Sequence, residues 1–257
     1  MRDILSIRDR VAVVIGGTSG IGRILALGLA EHGAHTVPTG RRESEIDSTA
    51  DEIEALGRRT LRQPADARSR QSLDALCAAV LAEFGRIDIL INAAGYTFKE
   101  ATLRVSEEKW SELLDTNLTG VLRACQAFHD PLAANQCGRI INIASLGSYL
   151  SFHQVAAYCA AKTAILSLTR SLACEWAEDG ISVNAIAPGV FPTEMNGHLV
   201  LNTARGQEIL MRTPMRRFGR PEELVGIAVS LASDAASFLT GQCIAVDGGY
   251  LASGVNS

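Results

Sequence analysis

The run Val11-Ala12-Val13-Val14-Ile15-Gly16-Gly17-Thr18-Ser19-Gly20-Ile21-Gly22 decides how this chain folds. Five consecutive apolar residues, four of them β-branched, are bounded by glycine. That pattern suits a parallel strand buried on both faces. An amphipathic helix pattern follows and ends near Gly33. A strand, a glycine turn and a helix N-terminus together form an anion site, because glycines let backbone approach a pyrophosphate and unpaired N–H groups point at it. The spacing of Gly16, Gly20 and Gly22 is G-x-x-x-G-x-G, not the better-known G-x-G-x-x-G. Between this strand and this helix the loop predicts a dinucleotide, with Thr18, Ser19 and Ile21 beside the phosphates.

Outward from that loop, residues 35–39 predict a second strand, bent or shortened by Pro38, which cannot donate to a ladder. Gly40-Arg41-Arg42 follows about 20 residues after the last loop glycine, where an acid would bind a ribose 2′-hydroxyl and an arginine a 2′-phosphate. No acid appears before Glu43, so NADP is favoured over NAD; the other reading is that Arg41 and Arg42 are merely solvated. A short strand near Leu61 leads to Asp66 and Ala67. Asp66 is placed to accept from an adenine amino group or to cap a helix beginning near Ser69. Residues 87–92 read as a further strand, and Ala93-Ala94-Gly95 then offers small side chains where a flat cofactor can lie on backbone.

Tyr158-Cys159-Ala160-Ala161-Lys162 is the chemical centre of the sequence. Residues 154–178 contain neither proline nor glycine and Gly180 follows, which predicts one helix. Ala161, Ile165, Leu168, Leu172 and Trp176 make its apolar stripe, with Tyr158 and Lys162 on the stripe's edge, one turn apart. A free phenol titrates near pH ~10; a neighbouring cation favours the phenolate and lowers that value. Ser145 ends a buried apolar strand thirteen residues upstream of Tyr158 and can polarise a carbonyl in front of it. Asn117 lies within a long helix expected from about 106 to 128, where an asparagine needs a partner; it holds a water, bends the helix or is exposed. Residues 190–217 carry weak periodicity and read as a substrate lid, with Phe191, Thr193, Met195, His198, Leu199 and Met211 on it.

The 257 residues are 47% apolar and 20% charged with net charge −4, the balance of a globular domain and not of a nucleic-acid surface. No apolar run approaches the ~20 residues of a membrane span, and residues 1–6 show no signal-peptide core. Six scattered cysteines without a C-x-x-C pair read as reduced thiols in a cytoplasmic protein, not as disulfides or metal ligands. Strands alternating with helices predict a single α/β domain over 1–257, one doubly wound parallel sheet of about seven strands with helices on both faces.

Taken in order, Gly16 to Gly22, Asn92-Ala93-Ala94-Gly95, Asn117, Ser145, Tyr158-x-x-x-Lys162, Pro188-Gly189 and Asp247-Gly248-Gly249 resemble the short-chain dehydrogenase/reductase family over essentially the whole chain. Ile15 and Ala93 depart from its commonest residues, threonine and asparagine. The resemblance implies a Rossmann-type fold and a catalytic tetrad of Asn117, Ser145, Tyr158 and Lys162. Tyr158 would be the general acid or base. Lys162 would lower the phenol's pKa and hold the nicotinamide ribose, Ser145 would bind the substrate oxygen, and Asn117 would hold a water. It also implies that Pro188, Gly189, Val190 and Thr193 meet the carboxamide or phosphates, and that Asn92, Ala93 and Gly95 line the adenosine side. Within the family the chain is similar to sugar-acid and polyol members, with 3-oxoacyl carrier-protein reductases as the alternative and a non-catalytic nucleotide-binding protein as a remoter one. For the alternative, Lys99, Arg104, Arg212, Arg216 and Arg217 would supply a basic patch. The expected substrate wall includes Gly147, Ser148, His153 and His198. A homotetramer is also implied, packed through the helices around Asn117 and Tyr158 and through the C-terminal strand.

Overall fold

A computed structural model describes residues 3–193 and 197–254, apart from the side chains at 198 and 199. Met195 of the expected lid, and the side chains of His198 and Leu199, lie outside the described residues. Strands β1 (Val11–Ile15), β2 (His35–Thr39), β3 (Ile89–Asn92), β4 (Gly138–Ile143), β5 (Ile181–Pro188) and β6 (Cys243–Val246) form one parallel sheet in the order β2-β1-β3-β4-β5-β6. Between them run α1 (Gly20–Glu31), α2 (Glu43–Ala55), α3 (Arg70–Phe84), α4 (Glu107–Leu114), α5 (Gly120–Ala127), α6 (His129–Ala134) and α7 (Ala156–Glu175). After β5 come α8 (Gly197–Val200), α9 (Ala204–Arg212) and α10 (Val225–Ala232).

Successive strand side chains point to opposite faces, and that alternation builds two cores. Val13, Leu90, Ile140 and Val183 pack on one face with Leu73, Phe128 and Ile165. Ala12, Val14, Ile89, Ile91 and Ile141 pack on the other with Leu25, Leu29 and Leu224. Each fully buried Leu or Ile contributes roughly 1.5–3 kcal/mol. Both cores need covering helices, which explains the continuous apolar runs in the sequence.

The sheet has six strands among the described residues, not seven. The segment expected as a strand near Leu61 lies along β2 through Thr36 N–H to Arg59 O (3.2 Å), Thr39 Oγ1 to Gln63 O (2.7 Å) and Ala65 N–H to Gly40 O (2.8 Å). It forms no regular ladder, and Pro64 has no donor to give one. Nor does Pro38 bend β2: it pairs in register with Val14. It shares parity with Thr36, whose N–H points outward to Arg59, so the missing donor faces the open side of β2.

The long helix expected at 106–128 is divided. Residues Asp115–Thr119 form a π-helical turn between α4 and α5, closed by Gly120 N–H to Asp115 O. Such turns occur mostly as single insertions at functional sites. The lid region is also more regular than its periodicity implied: Thr203 caps α9 by accepting from Gly206 N–H at 3.0 Å.

Every strand points its carboxyl end to the same edge. The chain crosses from β2, on one side of β1, to β3 on the other, so the order reverses at β1. Ligands of open α/β sheets bind in the crevice outside such a reversal.

Candidate active site and cofactor cleft

At the carboxyl end of β1, Gly16 has φ of +80° and a β-carbon there would lie 2.6 Å from Ala94 N and Cα. A β-carbon on Gly22 would lie 2.1 Å from Gly16 O. The loop is therefore closed on itself and against the segment after β3, and only hydrogen fits at either position. Gly20 also has positive φ, +51°, but faces open space. The turn thus presents backbone to a cleft at the N-terminus of α1, whose Ncap is Ser19, with a side chain that makes no capping bond. This cradle fits a pyrophosphate. Ile21 packs on the α1 core. Thr18 is buried, and its Oγ1 stands 2.8 Å from where a β-carbon of Gly40 would be. Loop and β2 end are thereby locked together.

Arg41 is exposed and makes no hydrogen bond or ion pair among the described residues; Arg42 is exposed and 3.6 Å from Glu45. Of the two, Arg41 has the less engaged guanidinium. Asp66 does not cap α3, because Ser69 does so by accepting from Ser72 N–H. Its carboxylate instead accepts from Arg68 N–H at 2.9 Å and pairs with the Arg68 guanidinium at 2.8 Å. That pair, and more weakly Arg41, holds its pKa below the usual range. Ala67, Asn92 and Ala94 line a narrow crevice with Ile15, Thr116 and Val121. Asn92 does not present its amide to that crevice as a free donor: Nδ2 donates to Asn142 Oδ1 (2.9 Å) and Cys125 Sγ (3.3 Å), while Oδ1 is buried without a partner among the described residues. Asn142 Nδ2 donates in turn to Thr169 Oγ1 at 3.0 Å. A buried polar chain therefore joins α5, β3, β4 and α7 under the cleft.

Asn117 is fully buried in the π-turn. It accepts from Tyr96 N–H (3.1 Å) and donates to Tyr96 O (2.8 Å). Both ends of the amide thus hold the segment carrying Ala93 and Gly95, and each end keeps one further hydrogen-bonding position. Gly189, after β5, donates to Val246 O (2.8 Å), and Val190 O accepts from Gly219 N–H (3.1 Å). Thr193 O accepts from Gly197 N–H (2.7 Å) at the foot of α8. Pro188 is the last residue of β5.

Ser145, Tyr158 and Lys162 come together just past β4. Ser145 Oγ accepts from Gly147 N–H at 3.0 Å and stands near enough to the Tyr158 phenol to favour its ionised form. A β-carbon on Gly147 would lie a tight 3.2 Å from Cys159 Sγ and in ordinary contact with Ser145 Oγ and Tyr158 Cδ1, at 3.5 and 3.6 Å. Lys162 is buried, not at the helix edge; its Nζ donates to Ile143 O at 2.6 Å and stands 5.8 Å from the Tyr158 ring centre. His153 is exposed on the loop before α7 and makes no contact with the reacting groups among the described residues.

The titration of this trio departs from the sequence expectation. Burial pushes the Tyr158 phenol above its usual range, the nearby Ser145 hydroxyl offsets part of that, and Cys159 adds to the rise. Lys162 does not bring it down. Its amine is turned to the Ile143 carbonyl, and burial lowers its own pKa to about 8. Desolvation penalises the charged form of both groups, and it outweighs their attraction in the protein alone.

A cavity of about 360 Å³, lined by none of the trio, lies behind Val190 and between Phe191, Phe218, Met215, Val246 and Tyr250. Among residues important to the site, the sequence reading passed over the Ile143 carbonyl and Thr163. Main-chain acceptors leave no signal in side-chain motifs.

A glycine cradle at a strand reversal, an exposed arginine past β2, and a serine–tyrosine–lysine trio past β4 define a dinucleotide-binding oxidoreductase. The chain belongs to the short-chain dehydrogenase/reductase family. A family model described as enoyl-(acyl carrier protein) reductase matches residues 16–251. The 2-dehydro-3-deoxy-D-gluconate 5-dehydrogenase of Escherichia coli strain K12 is 42% identical over 96% of this chain and 97% of its own. The gluconate 5-dehydrogenase of Gluconobacter oxydans is 38% identical over 98% of both. The crystal structure of a gluconate 5-dehydrogenase from Burkholderia cenocepacia in complex with NADP and tartrate superposes with a TM-score of 0.94 at 36% identity, covering 98% of this chain and 99% of that one.

Proposed function

We propose that this protein is an NADP-dependent oxidoreductase that interconverts a secondary alcohol and a ketone on a sugar acid. The single observation that carries the reading is the gathering of Ser145, Tyr158 and buried Lys162 at the sheet edge that also holds the glycine cradle. Supporting it, relatives similar over nearly their whole length are named for gluconate or keto-gluconate chemistry, and Arg41 stands where a 2′-phosphate would be read.

When bound, the nicotinamide donates or accepts the hydride and, oxidised, adds a positive charge that favours the phenolate. The protein's own groups do the rest. Ser145 donates to the substrate oxygen, where negative charge develops. Tyr158 gives that oxygen a proton in ketone reduction and takes one in alcohol oxidation. Lys162 holds the ribose, the backbone of Val190 and the Thr193 side chain meet the nicotinamide end, and Asn117 fixes the 93–96 segment against the adenosine. Residues 190–217 act as a lid within a single domain spanning 1–257. No helix among the described residues is long and apolar enough to cross a membrane; the proposed setting is the cytoplasm.

The protein is further proposed to be a homotetramer. Phe238 is fully exposed, and β6 is only half-buried although it belongs to the central sheet. The carrier-protein alternative draws on the family description, but its basic patch is largely occupied. Arg217 pairs with Glu223, Arg212 with Glu208, and Arg216 Nη1 donates to Met211 O.

The test is a fluorescence titration with NADPH and NADH, followed by a screen of 5-keto-D-gluconate, related keto acids and an acyl thioester 3-ketone. NADPH binding at least tenfold tighter, with turnover of a keto sugar acid, is expected. Turnover confined to the thioester would overturn the substrate assignment.

A further inference from the structure

The reacting groups sit on two separate elements. Ser145 lies at the end of β4, before the 3-10 turn Leu146–Ser148, whereas Tyr158 and Lys162 ride on α7. Their mutual placement must be held within about 0.5 Å for efficient proton transfer, yet the Ser145–Tyr158 contact joins the outer tips of two side chains. Something nearer the backbone has to fix the turn against the helix.

We infer that Ser148 is a positioning residue for the reaction, clamping the turn that carries Ser145 onto the helical turn that carries Lys162. Its side chain is buried, and its hydroxyl donates to the main-chain carbonyl of Lys162 at 2.6 Å. Thr163, next along α7, points its hydroxyl back at the same turn, to Ser148 O at 3.3 Å and Gly147 O at 3.5 Å. Across the turn, Gly147 N–H donates to Ser145 Oγ at 3.0 Å. The connections run from Ser145 to Gly147, and from Gly147 and Ser148 to α7, the helix that carries Tyr158. Lys162 is held from both ends, by Ser148 at its carbonyl and by the Ile143 carbonyl at its amine. The Ser148 hydroxyl is spent on the Lys162 carbonyl; it acts through Ser145 and Lys162.

A hydroxyl is the side chain this place requires. An alanine would leave no orphaned donor behind, since it removes the donor itself, so the fold is expected to persist while the turn loosens. The inference rests on the proposed role of Tyr158 as proton donor, and it predicts which property moves. The nearby Ser145 hydroxyl opposes the effect of burial on Tyr158; a looser turn lets it move away, and the phenol then ionises at higher pH.

The test is Ser148→Ala, with kcat, KM and the pH profile of alcohol oxidation measured beside NADPH affinity and thermal stability. The expected result is kcat lower by about 10- to 100-fold, NADPH affinity within about twofold of the parent, and the rise of kcat with pH displaced to higher pH. A residue that only stabilised the fold would lower the melting temperature without moving that profile. A folded Ser148→Ala protein with parental kcat and profile overturns the inference. Should that variant be insoluble, Ser148→Cys puts a slightly larger, much weaker donor at the same place; the same losses are expected, and parental kcat overturns the inference equally. Tyr158→Phe is run alongside. If it remains active, the reading of the site has failed; if it is inactive while Ser148→Ala is unaffected, only the positioning role has failed.

Discussion

Lys162 is a buried amine whose one hydrogen bond from Nζ among the described residues goes to Ile143 O. Burial lowers its pKa to about 8, against an ordinary value of 10.5. Between those values the unfolded chain holds the proton and the folded one releases it, so stability rises with pH across this window. Below about pH 8 the fold carries a buried charge at a cost. Lys162→Met is therefore predicted to raise the melting temperature of the cofactor-free protein by roughly 2–6 °C at pH 7 and by less at pH 10, while abolishing turnover. Calorimetry at the two pH values checks it; an equal gain at both would point to packing instead of charge. At the 2′-phosphate end, Arg41→Ala is predicted to weaken NADPH by more than tenfold and NADH by less than threefold, read by fluorescence titration. Equal losses would remove the arginine from cofactor choice. The pairing of Tyr158 with Lys162 was legible because helical spacing alone puts two residues four apart on one side. What the lysine does there was not legible, because the Ile143 carbonyl that turns it away belongs to another strand's main chain.

At the scale of elements, the loop between β1 and α1 is the most constrained. Gly22 is packed on Gly16 O, so Gly22→Ala must push the loop apart; at least tenfold weaker NADPH binding and a lower melting temperature are predicted. Tight binding retained in that variant would contradict a closed cradle. At the opposite end of the sheet His129 bonds Asp130 at 2.8 Å and Asp179 at 3.1 Å, tying the start of α6 to the turn after α7. These carboxylates, Asp130 foremost, raise its pKa. A group raised on folding stabilises fully below its unfolded value, near 6.5, and loses that contribution as pH rises through the folded value. His129→Ala is thus predicted to lower the melting temperature more at pH 6 than at pH 9. Regular elements were legible from periodicity and from glycine and proline stops. The interruption at 115–119 was not, since a π-turn keeps the composition of a helix and differs only by one extra residue in the hydrogen-bonded loop. The signal there was Asn117, too polar for a helix interior without a partner; the partner proved to be the Tyr96 backbone.

For the molecule as a whole, six parallel strands bring five loop segments to one edge, and residues as distant as Gly16, Asn92, Ser145 and Gly189 meet there. Nothing in local sequence states that meeting. It follows from parallel topology, which the alternation of strand and helix patterns implied, and it places the glycine cradle and the Ser145, Tyr158 and Lys162 trio at the same edge of the sheet. The edge strand near Leu61 failed because a prediction from composition cannot see that Pro64 interrupts the ladder on an open side. Exposed Phe238 and the half-buried β6 predict self-association: light scattering at micromolar concentration should give about four times the mass of one chain, and a stable monomer would contradict the proposed tetramer.

The measurement closest to the central claim compares Tyr158→Phe with the parent enzyme in stopped flow, following NADPH absorbance during reduction of the preferred ketone. The phenol is the group proposed to pass the proton, and its ring, without the hydroxyl, leaves the cradle and Arg41 intact. A fall in hydride transfer of at least a thousandfold, with NADPH binding within about threefold of the parent, is the predicted result. Transfer surviving at a tenth of the parental rate or more would contradict the assignment of Tyr158 as the acid.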